Sequence, residues 1–149
     1  MKALLVEDDQ FKANSVGAVV KDIRSSTEFT IATSVHAAVA RLQECQFDLI
    51  MLDMALPSHQ LRPGLGPTSS LLSGGLEVIM ELSYLNRSDP VIILTQFPEL
   101  EVEGELIPLR KAKEALKSHY AANIIAVIHY RHEQAEWRNS LIQEMKNIR

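Results

Sequence analysis

The residues of this 149-residue chain best placed to do chemistry are acids that end short apolar runs. The run from Phe47 to Leu52 ends on Asp53, and Pro57 follows four residues later. A second run, Lys2 to Val6, ends on three consecutive acids, Glu7, Asp8 and Asp9; a third, Val91 to Leu94, ends on the hydroxyl of Thr95. Short, continuously apolar runs match strands buried on both faces of a parallel sheet. An aspartate has no packing reason to end such a strand, and in open α/β sheets that edge is where ligands and chemistry collect. If these strands are neighbours, their terminal side chains converge. Crowded carboxylates repel, by about 4 kcal/mol per pair at ~4 Å and an effective dielectric of ~20. Such a group must hold a proton, recruit a basic side chain or bind a cation, most naturally Mg²⁺ with its preference for hard oxygen ligands. Beside that ion Asp53 is suited to attack phosphorus as a carboxylate nucleophile, giving an acyl phosphate. Thr95 is suited to hydrogen-bond a phosphoryl oxygen, which would draw its strand end inward.

The remaining sequence supplies elements to hold these side chains. Val16, Val19, Val20 and Ile23 recur at helical spacing, as do Val35, Ala38, Val39 and Leu42 behind a Ser34 N-cap. Phe29 to Ala32 lies between them as a short strand. Leu76, Ile79 and Met80 begin a third helix that stops near Asn86. Pro108 suits the first turn of a fourth, with Leu109, Ala112, Leu116 and Tyr120 facing inward. Asn123 to Ile128 is a fifth strand, and Trp137, Leu141, Met145 and Ile148 stripe a last helix. Strands alternating with helices predict an α/β fold, a doubly wound five-stranded parallel sheet with helices on both faces. Two segments interrupt the rhythm: a Pro-, Gly- and Ser-rich loop over about 58–74, with a local turn near Leu71-Leu72, and an acidic loop over about 96–107.

Composition bounds the rest. The length suits one domain over 1–149. A net charge of −4 argues against direct nucleic-acid binding, which draws on a concentrated basic surface. The lone Cys45 excludes an internal disulfide and fits a reducing cytoplasm. No apolar run approaches the ~20 residues a membrane helix requires, so no membrane contact is expected.

Leu4 to Asp9, Asp48 to Pro57, Gly75 to Ile79 and Pro90 to Thr95 together resemble the receiver domain of two-component response regulators, in order and over nearly the whole chain. The resemblance implies the CheY-like strand order 2-1-3-4-5, with Asp53 as phosphoacceptor. It implies Glu7, Asp8, Asp53 and the Ala55 carbonyl as Mg²⁺ ligands, with Asp9 ranking behind them because it begins the turn into a helix. Thr95 becomes the switch hydroxyl, and Tyr130, just past the fifth strand, a second switch candidate. Implied partners are a histidine kinase or phosphotransfer protein and an effector met through the helix 4–strand 5–helix 5 face; homodimerisation stays open. Turnover would be limited to self-phosphorylation from a phosphodonor and autodephosphorylation.

The sequence departs from the receiver pattern around the pocket. Where receivers carry a lysine followed by proline after strand five, this chain reads Ile128-His129-Tyr130-Arg131-His132, leaving Arg131 and His129 as substitutes for the lysine. Gln96 follows Thr95 where a small residue is usual. Two functions therefore stand: a phosphorylatable receiver, or a pseudo-receiver that binds a protein partner without phosphorylation. A phosphatase of the haloacid-dehalogenase kind would want a second aspartate where Ala55 stands. No Gly-Lys-Ser/Thr supports a P-loop.

Overall fold

Side chains alternate across a strand, so a strand apolar at every position demands cover on both faces. The computed structural model, which describes residues 1–58, 70–71 and 74–149, provides that cover. The elements run β1 (Lys2–Val6), α1 (Gln10–Ile23), β2 (Glu28–Ala32), α2 (Val35–Glu44), β3 (Leu49–Leu52), β4 (Leu56–Pro57) and β5 (Ser70–Leu71). They continue with α3 (Gly74–Tyr84), β6 (Val91–Thr95), β7 (Glu99–Val102), β8 (Glu105–Pro108), α4 (Leu109–His119), β9 (Ile124–His129) and α5 (Glu136–Asn147). The main sheet is five-stranded and parallel, in the order β2-β1-β3-β6-β9. That is the expected order, with β6 and β9 as its fourth and fifth strands. Leu4, Val6, Ile50, Leu52 and Ile93 pack on one face with residues of α2, α3 and α4. Ala3, Leu5, Leu49, Met51, Ile92 and Leu94 pack on the other, against Val16 and Val20 of α1 and Trp137, Leu141 and Met145 of α5.

Local chemistry sets the element ends. Asp9 caps α1 by accepting from the Lys12 N–H at 3.1 Å, and Ser34 caps α2 by accepting from the Ala37 N–H at 3.1 Å. Asn86, at φ 52°, ends α3 in the left-handed conformation, so that the Arg87 N–H reaches the Leu82 carbonyl at 2.9 Å. The Arg87 guanidinium then grips Asp89 and the carbonyls of Leu42 and Cys45. Asp89 in turn accepts from the Phe47 N–H at 2.7 Å. This network fastens the entries to β3 and β6, at the sheet edge opposite Asp53.

The segment after Thr95 is regular where a loop was expected. β7 and β8 form an antiparallel hairpin, Leu100 opposite Ile107, turning through Glu103 (φ 52°) and Gly104 (φ 79°). Two successive positive φ values belong to a two-residue hairpin turn whose twist matches the strands. The acids Glu99 and Glu101 alternate with buried Leu100 and Val102, a strand period hidden within the charge. Pro108 ends β8 and stands at the N-cap of α4, one residue before the helix. In the other interrupted segment, β4 and β5 pair antiparallel, so Leu71 sits opposite Leu56. Residues 59–69 and 72–73 of that expected loop, Leu72 included, lie outside the described residues. Among the described residues no helix is long and apolar enough to cross a membrane.

Candidate functional site

The parallel register of β1 and β3 pairs Val6 with Leu52, so Glu7 and Asp53 emerge side by side from adjacent strand ends. The Asp53 N–H donates to the Val6 carbonyl and the Glu7 N–H to the Ala32 carbonyl, each at 3.0 Å. Glu7, Asp8 and Asp53 bring carboxylate oxygens within 4.8 Å of one another. Glu7 and Asp53 are buried, whereas Asp8 is exposed. Asp9 stands apart as the helix cap, its N–H donating to Glu7 Oε1 at 3.0 Å. The Ala55 N–H bonds the Asp53 carboxylate.

A cation already lies among these acids, and it comes from α1. Lys12 is 1% exposed. Its Nζ is 2.7 Å from Glu7 Oε2 and 3.2 Å from Asp53 Oδ1, and it donates to the Leu94 carbonyl at 2.8 Å. The same ammonium stands 5.4 Å from the centroid of the Tyr130 ring. Sequence reasoning passed Lys12 over, although a signal existed. Stepping the Val16–Val20 stripe back by four residues lands on Lys12, a lysine on the buried face of an amphipathic helix.

Burial disfavours the charged form of a carboxyl. It pushes Glu7 up to about 7 and raises Asp53, while the Lys12 ammonium pulls both the other way. With all three carboxylates ionised, two negative charges would exceed the Lys12 ammonium. A divalent ion with hard oxygen ligands matches that donor set and charge.

Gly75 braces the site from behind. Its N–H donates to the Met54 carbonyl at 2.9 Å, and a Cβ there would lie 2.6 Å from the Asp53 carbonyl oxygen and 2.7 Å from Met54 Cα. Only glycine lets α3 approach the turn after β3 so closely.

The other predicted residues occupy the far side of the pocket. Thr95 is fully buried, and its Oγ1 accepts from the Phe97 N–H at 3.1 Å. Tyr130 is buried against Trp137, with ring centroids 4.7 Å apart. The His129 ring bonds the Gln96 carbonyl at 3.1 Å, and Arg131 is exposed. Arg131 lines a cleft of about 300 Å³ together with Asp9, Lys12, Gln96 and Tyr130. Among the described residues, the cation in contact with Asp53 is Lys12, from α1, and not a residue after β9. A larger cleft of about 590 Å³, lined by Phe47, Asp89 and Ile125 among others, opens at the opposite sheet edge, away from the carboxylates.

Comparison with known proteins bears on this arrangement. No family model matches the chain. It is 34% identical over 147 residues to the Detocs response regulatory protein DtcB of Vibrio alginolyticus, covering 97% of this chain and 99% of that one. The chain belongs to the response regulator receiver family. A second Detocs response regulatory protein DtcB, from Enterobacter cloacae, is 22% identical over 99% of this receiver and 100% of its own length. Among solved structures, a CheY-like receiver domain from Methanospirillum hungatei superposes with a TM-score of 0.62 at 16% identity, over 98% of this receiver and 90% of that chain. The Mn(2+)-bound response regulator Rcp1 gives a TM-score of 0.59 at 18% identity, over 95% and 89%. These structural likenesses establish the fold of the receiver.

Proposed function

We propose that this receiver accepts a phosphoryl group on Asp53 and passes the change to a protein partner. The observation that carries the reading is the convergence of Glu7, Asp8 and Asp53 within 4.8 Å at the carboxyl edge of the sheet. In the transfer, an Asp53 carboxylate oxygen forms a bond to phosphorus as the bond from phosphorus to the donor breaks. For a phosphohistidine donor the departing imidazole nitrogen keeps the electron pair and takes a proton. Mg²⁺ held by Glu7, Asp8, Asp53 and the Ala55 carbonyl would neutralise charge on the phosphoryl oxygens. The Ala55 N–H holds the carboxylate, and Gly75 packs against the backbone of Asp53 and Met54 that carries it. Burial of Asp53 excludes bulk water from most of its surroundings, which favours a lasting acyl phosphate.

Thr95 and Tyr130 are the switch candidates, because Thr95 ends β6, Tyr130 lies just past the end of β9, and the Tyr130 N–H donates to the Thr95 carbonyl between the pocket and the α4–β9–α5 face. A histidine kinase or phosphotransfer protein is the proposed donor and a protein effector the proposed reader. The test is intact-mass analysis after incubation with acetyl phosphate and Mg²⁺. One added phosphoryl group on the wild type and none on Asp53→Asn is expected; no adduct on the wild type overturns the reading.

A pseudo-receiver reading draws on the Lys12 ammonium already seated among the acids. It requires partner binding unchanged by Asp53→Asn and by chelation.

A further inference from the structure

We infer that Lys12 is the pocket's tethered counter-ion, which a divalent cation must displace from Glu7 and Asp53 before it binds. The inference rests on the reading of Glu7, Asp8 and Asp53 as a divalent-cation site and adds what guards that site. Its basis is positional. The Lys12 Nζ contacts one oxygen of Glu7 and one of Asp53, two of the three carboxylates a cation would need. A buried ammonium and a divalent ion cannot both take those oxygens without strong repulsion in a site of low dielectric.

The placement is built rather than incidental. Lys12 projects from the first turn of α1, directly behind the Asp9 cap, and its stem shares the buried face with Ala13 and Val16. Its head has two further anchors, the Leu94 carbonyl and the Tyr130 face. These keep favourable contacts for the ammonium when the carboxylates are taken by a cation. The anchors also keep the charge near Asp53, within reach of a phosphoryl group carried there. Neither His129 nor Arg131 offers this, since the first is bonded to Gln96 and the second is exposed. Helix α1 thereby supplies the lysine that the end of β9 lacks.

Calorimetric titration of the full chain with Mg²⁺ tests this, comparing wild type with Lys12→Met, a near-isosteric change that removes the charge. Lys12→Met is expected to bind Mg²⁺ at least tenfold more tightly than wild type. Equal or weaker binding with both proteins folded overturns the inference and leaves the cation site standing. Absence of Mg²⁺ binding in both proteins overturns the cation site and the inference with it. If Lys12→Met does not fold, lysine side-chain NMR of the wild type decides. The Lys12 ε-carbon resonance should shift with Mg²⁺ in step with the amides of Glu7 and Asp53. A stationary Lys12 signal while those amides move would refute displacement.

Discussion

Lys12, Glu7 and Asp53 share one buried hydrogen-bonded group, so changing any one of them alters the electrostatics of the other two. Linkage gives Glu7 a definite sign. Its folded-state value of about 7 stands above the ordinary 4.5, so the folded chain holds more protons than the unfolded one between these values. In metal-free buffer this carboxyl therefore costs stability as pH rises from about 4.5 to 7, and Glu7→Gln should remove that falling component from a urea-unfolding series. Asp89 has the opposite sign. Burial alone would raise it, but the Arg87 guanidinium and the Phe47 N–H outweigh burial and hold it below the usual range. Its contribution is present above the ordinary carboxylate value and is lost as pH falls through the folded one. Asp89→Asn should thus flatten the acid limb of the same series. Removing the partner is harsher: Arg87→Ala leaves a buried carboxylate unpaired and should cost about 3–5 kcal/mol. Gly75→Ala, whose added methyl meets backbone at 2.6 Å, should cost about 1–3 kcal/mol and slow phosphorylation by shifting the turn that carries Asp53.

At the scale of elements, the hairpin of β7 and β8 is the least expected part of the molecule. Leu100 and Val102 join the core face that holds Ala112 and Leu116 of α4, and the Tyr120 hydroxyl donates to Glu103 at the hairpin turn. Leu100→Ala should destabilise by about 2–5 kcal/mol, as a buried leucine does, whereas a solvated insertion loop would tolerate it. Urea midpoints distinguish the two. Most of the main strands and helices were legible in the sequence because they carry an apolar run or a 3.6-residue stripe, and β2, broken by Thr30, was legible from its place between two helices. The hairpin was not, because four glutamates obscure a two-residue period in which only the alternate positions are apolar. The three carboxylates were legible for the same reason as the strands: Glu7 and Asp8 follow one apolar run and Asp53 another. Lys12 was passed over despite its place on the α1 stripe, because apart from Glu7 its partners, Asp53 and Leu94, lie far along the chain and only the sheet order brings them to it.

For the molecule as a whole, the sheet order places the phosphoacceptor candidate beside β6, which carries Thr95, with β9 and its His129 one strand further, and those strands lead to α4 and α5. On the proposed reading, a change at Asp53 would travel to the α4–β9–α5 face through these packed elements. The most direct measurement is borohydride reduction of the protein after phosphodonor and Mg²⁺ treatment, followed by peptide sequencing. Reduction converts a phosphoaspartyl residue to homoserine and so marks the acceptor. Homoserine is expected at position 53, and not when phosphodonor is withheld. Homoserine at position 8 or 9 instead, or at no position, would contradict it.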